Sequence, residues 1–240
     1  MQGASKLRSS LVTSKAEGLA PLVAEAAPLR QKIMRSLRRA IETGVLEPGT
    51  RLIEKDLCQQ LNVSRTSLRE ALRQLHAEGI LTEVGNRGLT VAAVTIEDAR
   101  NIYRLRSAVE SLLVQQFIEN ATEQEFAELK LMRDRLVEAY QNGGAEEIVG
   151  TKREFYDLIS AGARNPLGHD ILNKLTLLTS PLRRKSVVRP ERRKSSTKEI
   201  KDLVKAILDG DMDAASRAAQ VHIAHSADSV IQALQENDVT

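Results

Sequence analysis

Arg65, Thr66, Ser67 and Arg69 follow directly on Asn62-Val63-Ser64, and further along the chain Arg87 stands in the run Gly85-Asn86-Arg87-Gly88. Guanidinium and hydroxyl groups so grouped can hold phosphate oxygens by charge-assisted hydrogen bonds, and a guanidinium can read a guanine edge in bidentate fashion. That is the chemistry of nucleic-acid recognition. A second kind of chemistry is open to Arg106, a guanidinium on the inner face of a helix that needs an anionic partner. That partner is either a bound anion or Glu110, one turn away. Catalytic constellations are missing: there is no GxSxG, P-loop, HExxH or CxxC, and only His76, His169, His222 and His225 could serve as imidazole bases. The chain does not read as an enzyme.

The first group needs a helix-turn-helix to present it. Ile53, Leu57 and Leu61 make one short apolar stripe, and Leu68, Ala71, Leu72 and Leu75 make another. Between the stripes, Asn62 can take the left-handed conformation that ends a helix, and Ser64 can cap the next one. Arg65, Arg69 and the neighbouring hydroxyls then share the outward N-terminal face of the second helix, where a recognition helix meets DNA. Ile80 to Val84 and Leu89 to Ala93 read as two strands around Gly85-Asn86-Arg87-Gly88, a wing with Arg87 at its tip. Helix pairs occur in proteins that never touch nucleic acid, so the assignment rests on turn, Arg-Thr-Ser opening and basic wing together. A helix from Pro28 to Gly44, with Ile33, Leu37 and Ile41 on one face, precedes them.

From Thr95 the texture is helical. Thr95 with Asp98 and Thr122 with Glu125 have capping-box spacing, Asn165-Pro166 and Ser196 with Glu199 open further helices, and Asp211 caps a long last one. About six helices with short connections predict an antiparallel bundle. The basic stretch 183–194 reads as a solvated, irregular loop, with a lid or an extra DNA contact as the other reading. The expected fold is mostly α: a winged helix-turn-helix over 28–94, an all-α bundle over 95–240, and a flexible extension over 1–27. Its 240 residues suffice for two modest cores, which only three Tyr, three Phe and no Trp leave to aliphatic packing. Cys58 is the single cysteine, so no disulfide forms within one chain, and no apolar run suits a membrane span or a signal peptide. The expected compartment is the cytoplasm, with no membrane partner. Net charge is +3, but residues 28–94 hold eleven Lys and Arg against seven Asp and Glu, which puts the anion-binding end at the front.

The run Gly44-Val45-Leu46-Glu47-Pro48-Gly49-Thr50-Arg51-Leu52, with Glu54 to Leu57, Val63 to Leu72, Gly79-Ile80-Leu81 and Asn86-Arg87-Gly88, resembles the winged-helix domain of GntR-family transcription regulators. The resemblance implies contacts to double-stranded operator DNA from Lys55, Arg65, Thr66, Arg69, Asn86, Arg87 and Gly88, to which the hydroxyl-bearing N-terminal face of the second helix adds Ser64 and Ser67. More loosely, Ile102 to Arg106 with Glu110, Phe155, Asn165, Glu199 to Ile207, Gly210-Asp211 and His222-Ile223 resemble the FCD ligand-binding domain of the FadR branch. Many FCD domains hold a divalent metal, but its four ligand positions here correspond to Lys152, Tyr156, Ile200 and His222, a set that cannot supply the required ligands. No metal and no cofactor are expected. The resemblance implies a homodimeric regulator, most simply a repressor released from a palindromic operator by a small anionic metabolite, a carboxylate or an acyl thioester. Its effector contacts are expected from Arg106, Lys152, Tyr156, Asn165 and His222, with the Lys152 ammonium supplying the positive charge, unless Lys152 swings outward and leaves an apolar pocket. The alternatives are a constitutive DNA-binding or architectural protein, and an enzyme tethered to DNA.

Overall fold

The computed structural model describes residues 27–85 and 88–238. The expected extension therefore lies, but for Ala27, outside the described residues, as do the wing-tip residues Asn86 and Arg87. Helix α1 (Ala27–Glu42) turns Ile33, Met34, Leu37 and Ile41 inward, as the apolar spacing dictates. Helix α2 (Glu54–Leu61) ends at Asn62, which is left-handed at φ 50°, and α3 (Arg65–Ala77) starts from Ser64, whose hydroxyl accepts from the Ser67 amide at 3.2 Å. Strands β1 (Leu81–Glu83) and β2 (Leu89–Val91) pair antiparallel, with Leu81 opposite Val91 and Glu83 opposite Leu89. They are shorter than the sequence suggested, although the pairing runs on at both ends, the Ala92 amide donating to the Ile80 carbonyl at 3.0 Å and the Val84 amide to the Gly88 carbonyl at 3.2 Å. Gly88 takes φ 74° where the hairpin returns, a conformation that a side chain would strain.

Seven helices follow: α4 (Ile96–Asn120), α5 (Glu123–Asn142), α6 (Ala145–Gly162), α7 (Pro166–Leu178), α8 (Ser180–Val187), α9 (Pro190–Leu208) and α10 (Met212–Asp238). Both capping boxes close, each Thr accepting from the amide three residues on while the acidic side chain accepts from the Thr amide. Helix α10 packs mainly on α4 and α9, and α5 on α6 and α9, around an aliphatic core that includes Leu113, Leu136, Ile159, Leu203 and Ile207. Gly162 lets α6 approach α4: a Cβ there would stand 2.4 Å from the Phe117 ring.

The basic stretch 183–194 is not a loop. It forms most of α8 and the start of α9, with prolines in the first turn of each, where a missing N–H costs nothing. Its helix was hidden because Arg183 and Arg192 are buried while looking like solvated charge. The two cores also meet: Leu177 of α7 packs in the core of the head, the unit of α1 to α3 with the hairpin, together with Ile41, Leu72 and Leu75, while Leu172 of the same helix packs in the bundle's.

Candidate nucleic-acid interface and buried polar cluster

On the head, Lys55, Ser64, Arg65, Thr66 and Arg69 are exposed, and Ser67 and Gly88 are half-buried. The buried side of α3, from Leu68 through Leu75, fixes its rotation and turns Arg65 and Arg69 outward, one turn apart. They differ in company. Arg69 Nε donates to both carboxylate oxygens of Glu54 at 2.9 Å, which ties α3 to α2 and raises the Arg69 pKa through that hydrogen bond. Arg65 has no side-chain partner among the described residues.

In the bundle, charge is buried on a scale the sequence did not announce. Arg106 donates through Nε and Nη2 to Glu110 Oε1, at 3.0 and 2.9 Å, and lies 4.7 Å over the Tyr103 ring. The Arg106–Glu110 pair thus forms, yet Arg106 Nη1 and Glu110 Oε2 have no hydrogen-bond partner among the described residues. Lys152 points inward, 3 % exposed, and its Nζ donates to His222 Nε2 at 2.7 Å. The outward-swinging reading of Lys152 is overturned, since burial in α6 leaves its chain no route to water. His222 Nδ1 donates to Glu199 Oε2 at 2.7 Å, which fixes the tautomer, and Glu199 Oε1 accepts from Arg192 at 2.9 Å and from His225 at 2.7 Å. Arg192 also donates to Ser226 at 2.8 Å. The hydroxyls of Tyr103, Tyr140 and Tyr156 are buried and have no hydrogen-bond partner among the described residues.

Burial, then the neighbouring Arg183, Arg106 and Arg192, holds the Lys152 pKa well below its ordinary value. Burial followed by Lys152 does the same to His222, so its imidazole is neutral. Burial works against the Arg106 charge, but Glu110 and the neighbouring phenols outweigh it and raise its pKa. Tyr156 is pushed well up, by burial and then by Glu110. For Arg183, burial and the like charge of Arg106 lower the pKa. Four basic side chains, Arg106, Lys152, Arg183 and Arg192, thus share the interior with two carboxylates, Glu110 and Glu199. The arrangement can receive negative charge and cannot readily take more positive charge.

Of the expected pocket residues, Arg106, Lys152, Tyr156 and His222 come together. Asn165 does not join them: its Oδ1 caps α7 by accepting from the Gly168 amide, and its Nδ2 donates to Gln116, both at 2.8 Å. Sequence reasoning missed Arg183, Arg192, Glu199, Ser226 and His225 as members. The signal for Arg183 was the inward spacing of Leu182, Ser186 and Val187 around it. A divalent metal does not fit the family's four positions. Ile200 offers no donor, Lys152 offers an amine among cations, and both His222 nitrogens are already bonded, to Lys152 and Glu199.

Between head and bundle lies a cleft of about 460 Å³ whose lining includes Arg183 alone of this cluster.

Compared with known proteins, residues 29–91 match the family "Bacterial regulatory proteins, gntR family" and residues 101–225 match the FCD domain. The chain is 31% identical over 153 residues to the HTH-type transcriptional regulator McbR of Escherichia coli, covering 64% of this chain and 69% of McbR. It is 27% identical to the E. coli HTH-type transcriptional repressor RspR over 88% of this chain and 92% of that one. Among solved structures, E. coli McbR/YncC aligns with a TM-score of 0.77 at 25% identity, over 88% of this chain and 99% of that chain.

Proposed function

The chain belongs to the gntR family of bacterial regulatory proteins and carries an FCD domain, so it is a DNA-binding transcription regulator, and we propose that it is a dimeric repressor released from a palindromic operator by a small anionic metabolite. Residues 28–94 are the reading head and 95–240 the effector and dimer unit. The observation that carries the effector reading is the buried excess of basic side chains over carboxylates around Lys152, beside unpartnered polar atoms on Arg106 and Tyr156. A carboxylate or acyl thioester entering there takes hydrogen bonds from Arg106, Lys152 and Tyr156 and restores the Lys152 ammonium. The metal of other FCD domains has no part in this. Because the cluster is tightly packed, entry requires it to open, and the anion then favours the opened arrangement.

Arg65, Thr66, Ser67 and Arg69 read base edges and phosphates, while Lys55, Ser64 and the wing residues Asn86, Arg87 and Gly88 hold the backbone or minor groove. Two-fold symmetry is supported by α4, where Leu105 and Leu112 are 57% and 45% exposed on one face, apolar surface that a second copy would cover. Repression follows the name of the relative RspR.

The test is an anisotropy titration on an operator selected from genomic fragments, repeated with a panel of small carboxylates and acyl thioesters. Wild type should release DNA with a member of the panel; Lys152→Met should bind the operator equally well and fail to release it. An unaltered response in Lys152→Met would overturn the pocket, and binding without sequence preference would favour the architectural reading.

A further inference from the structure

The cleft between head and bundle is walled by α1 on one side and by α6, α7 and α8 on the other. Six arginines line it: Arg35, Arg38 and Arg39 from α1, Arg153 from α6, and Arg183 and Arg184 from α8. The lining carboxylates are Glu42 and Glu146. Glu42 accepts from Arg153 at 2.9 Å, and Arg38 is paired with Glu78 of the head. The side chains of Arg35, Arg39, Arg183 and Arg184 have no hydrogen-bond or ion-pair partner among the described residues, although Arg183 is only 5% exposed. Arg184 reaches across toward the end of α1, its Nη1 standing 3.0 Å from where a Cβ on Gly44 would lie.

A buried, unpartnered guanidinium is costly, and a surface cluster of like charges repels itself. Both penalties are relieved by one compact ligand with many oxygens. A single carboxylate has two oxygens and satisfies one or two guanidinium forks. Tetrahedral phosphoryl groups joined in a chain present oxygens in several directions and can meet forks from opposite walls at once. We propose that this cleft is a second anion site, sharing only Arg183 with the Lys152 cluster, that it takes a compact polyphosphate group such as the diphosphate or triphosphate of a small metabolite, and that its occupancy locks the head against the bundle. The ligand bridges α1, which packs on the recognition helix, to α8, which carries Arg183 into the bundle's interior. An anion in the cleft therefore bears on how the heads are held.

Calorimetric titration of the full chain with inorganic pyrophosphate, and separately with citrate, tests this without DNA, and the same titrations of Lys152→Met tell binding in the cleft from binding in the Lys152 pocket. Pyrophosphate should bind saturably and at least tenfold more tightly than citrate. The double variant Arg35→Ala/Arg184→Ala removes two side chains that are not fully buried, and should lose at least tenfold in pyrophosphate affinity with its unfolding midpoint little changed. The corresponding double Lys variant should recover part of the loss. Should the Ala variant be unstable, Arg39→Ala alone, on the exposed side of α1, should still weaken binding severalfold. Pyrophosphate should also shift wild-type operator affinity and leave the double variant's unmoved. The proposal is overturned by absence of saturable binding, by citrate binding as tightly, or by unchanged affinity in the variants. It is equally overturned if the double variant loses operator affinity while binding pyrophosphate normally, for the cleft would then be a DNA contact.

Discussion

Arg65 and Arg69 share a helix face but are not equivalent, because Glu54 grips one and leaves the other free. Arg65→Ala should cost about 1–3 kcal/mol of operator binding and relax preference at one base pair. Selectivity left intact in a titration across single-base operator variants would mean that α3 sits in a different register. Glu54→Ala should act differently, raising affinity for all sequences through loss of a nearby negative charge while blurring selectivity where Arg69 reads. At the other end of the molecule His222 sets a pH dependence. Its folded pKa is held well below 6.5, by burial and then by Lys152, so as pH falls through about 6.5 the unfolded chain takes up a proton that the fold refuses. Its contribution to stability is therefore intact above that pH and is lost progressively below it. Unfolding midpoints of wild type should fall between about pH 7 and about pH 5 more steeply than those of His222→Gln.

At the scale of elements, close approach outweighs propensity. Gly162→Ala would gain about 1 kcal/mol of helix propensity in α6, but its methyl would meet the buried Phe117 ring at 2.4 Å. Overpacking of that kind costs about 1–3 kcal/mol, so a lowered unfolding midpoint is expected in calorimetry. The helix-turn-helix was legible because its evidence is local: Asn62 and Ser64 signal a stop and a start, and four apolar residues of α3 fix its face. Thr95 and Thr122 announced α4 and α5 in the same way. Helix α8 was not legible. Its eight residues include Arg183, which sequence reads as solvated although long-range packing buries it. Lys152, Glu199 and His222 likewise come from three helices, and only packing reveals that their polar atoms meet. Asn165 misled for the opposite reason, since a capping role and a pocket role use the same residue type.

Over the whole molecule, the two halves are less separable than their textures suggested, since Leu177 of α7 packs in the head's core. A bundle fragment from Thr95 onward should sediment as a dimer, and the head alone, which lacks Leu177, as a less stable monomer that binds DNA weakly, having lost both a linked half-site and part of its core. A monomeric bundle beside a dimeric head would overturn the architecture. Leu177→Ala should destabilise the head by about 2–5 kcal/mol although the mutation lies in α7 of the bundle, which heat unfolding of the intact chain would register. That side chain also limits how such proteins can be recombined. A chimera joined at the start of α4 would graft a foreign head onto a helix that already fills part of its predecessor's interior. It would inherit a peg fitted to the former head's core. Grafts that carry a matching residue at position 177 should yield soluble hybrids, and those that swap the first ninety-odd residues alone should misfold, so the smallest exchangeable part of this regulator is discontinuous in sequence.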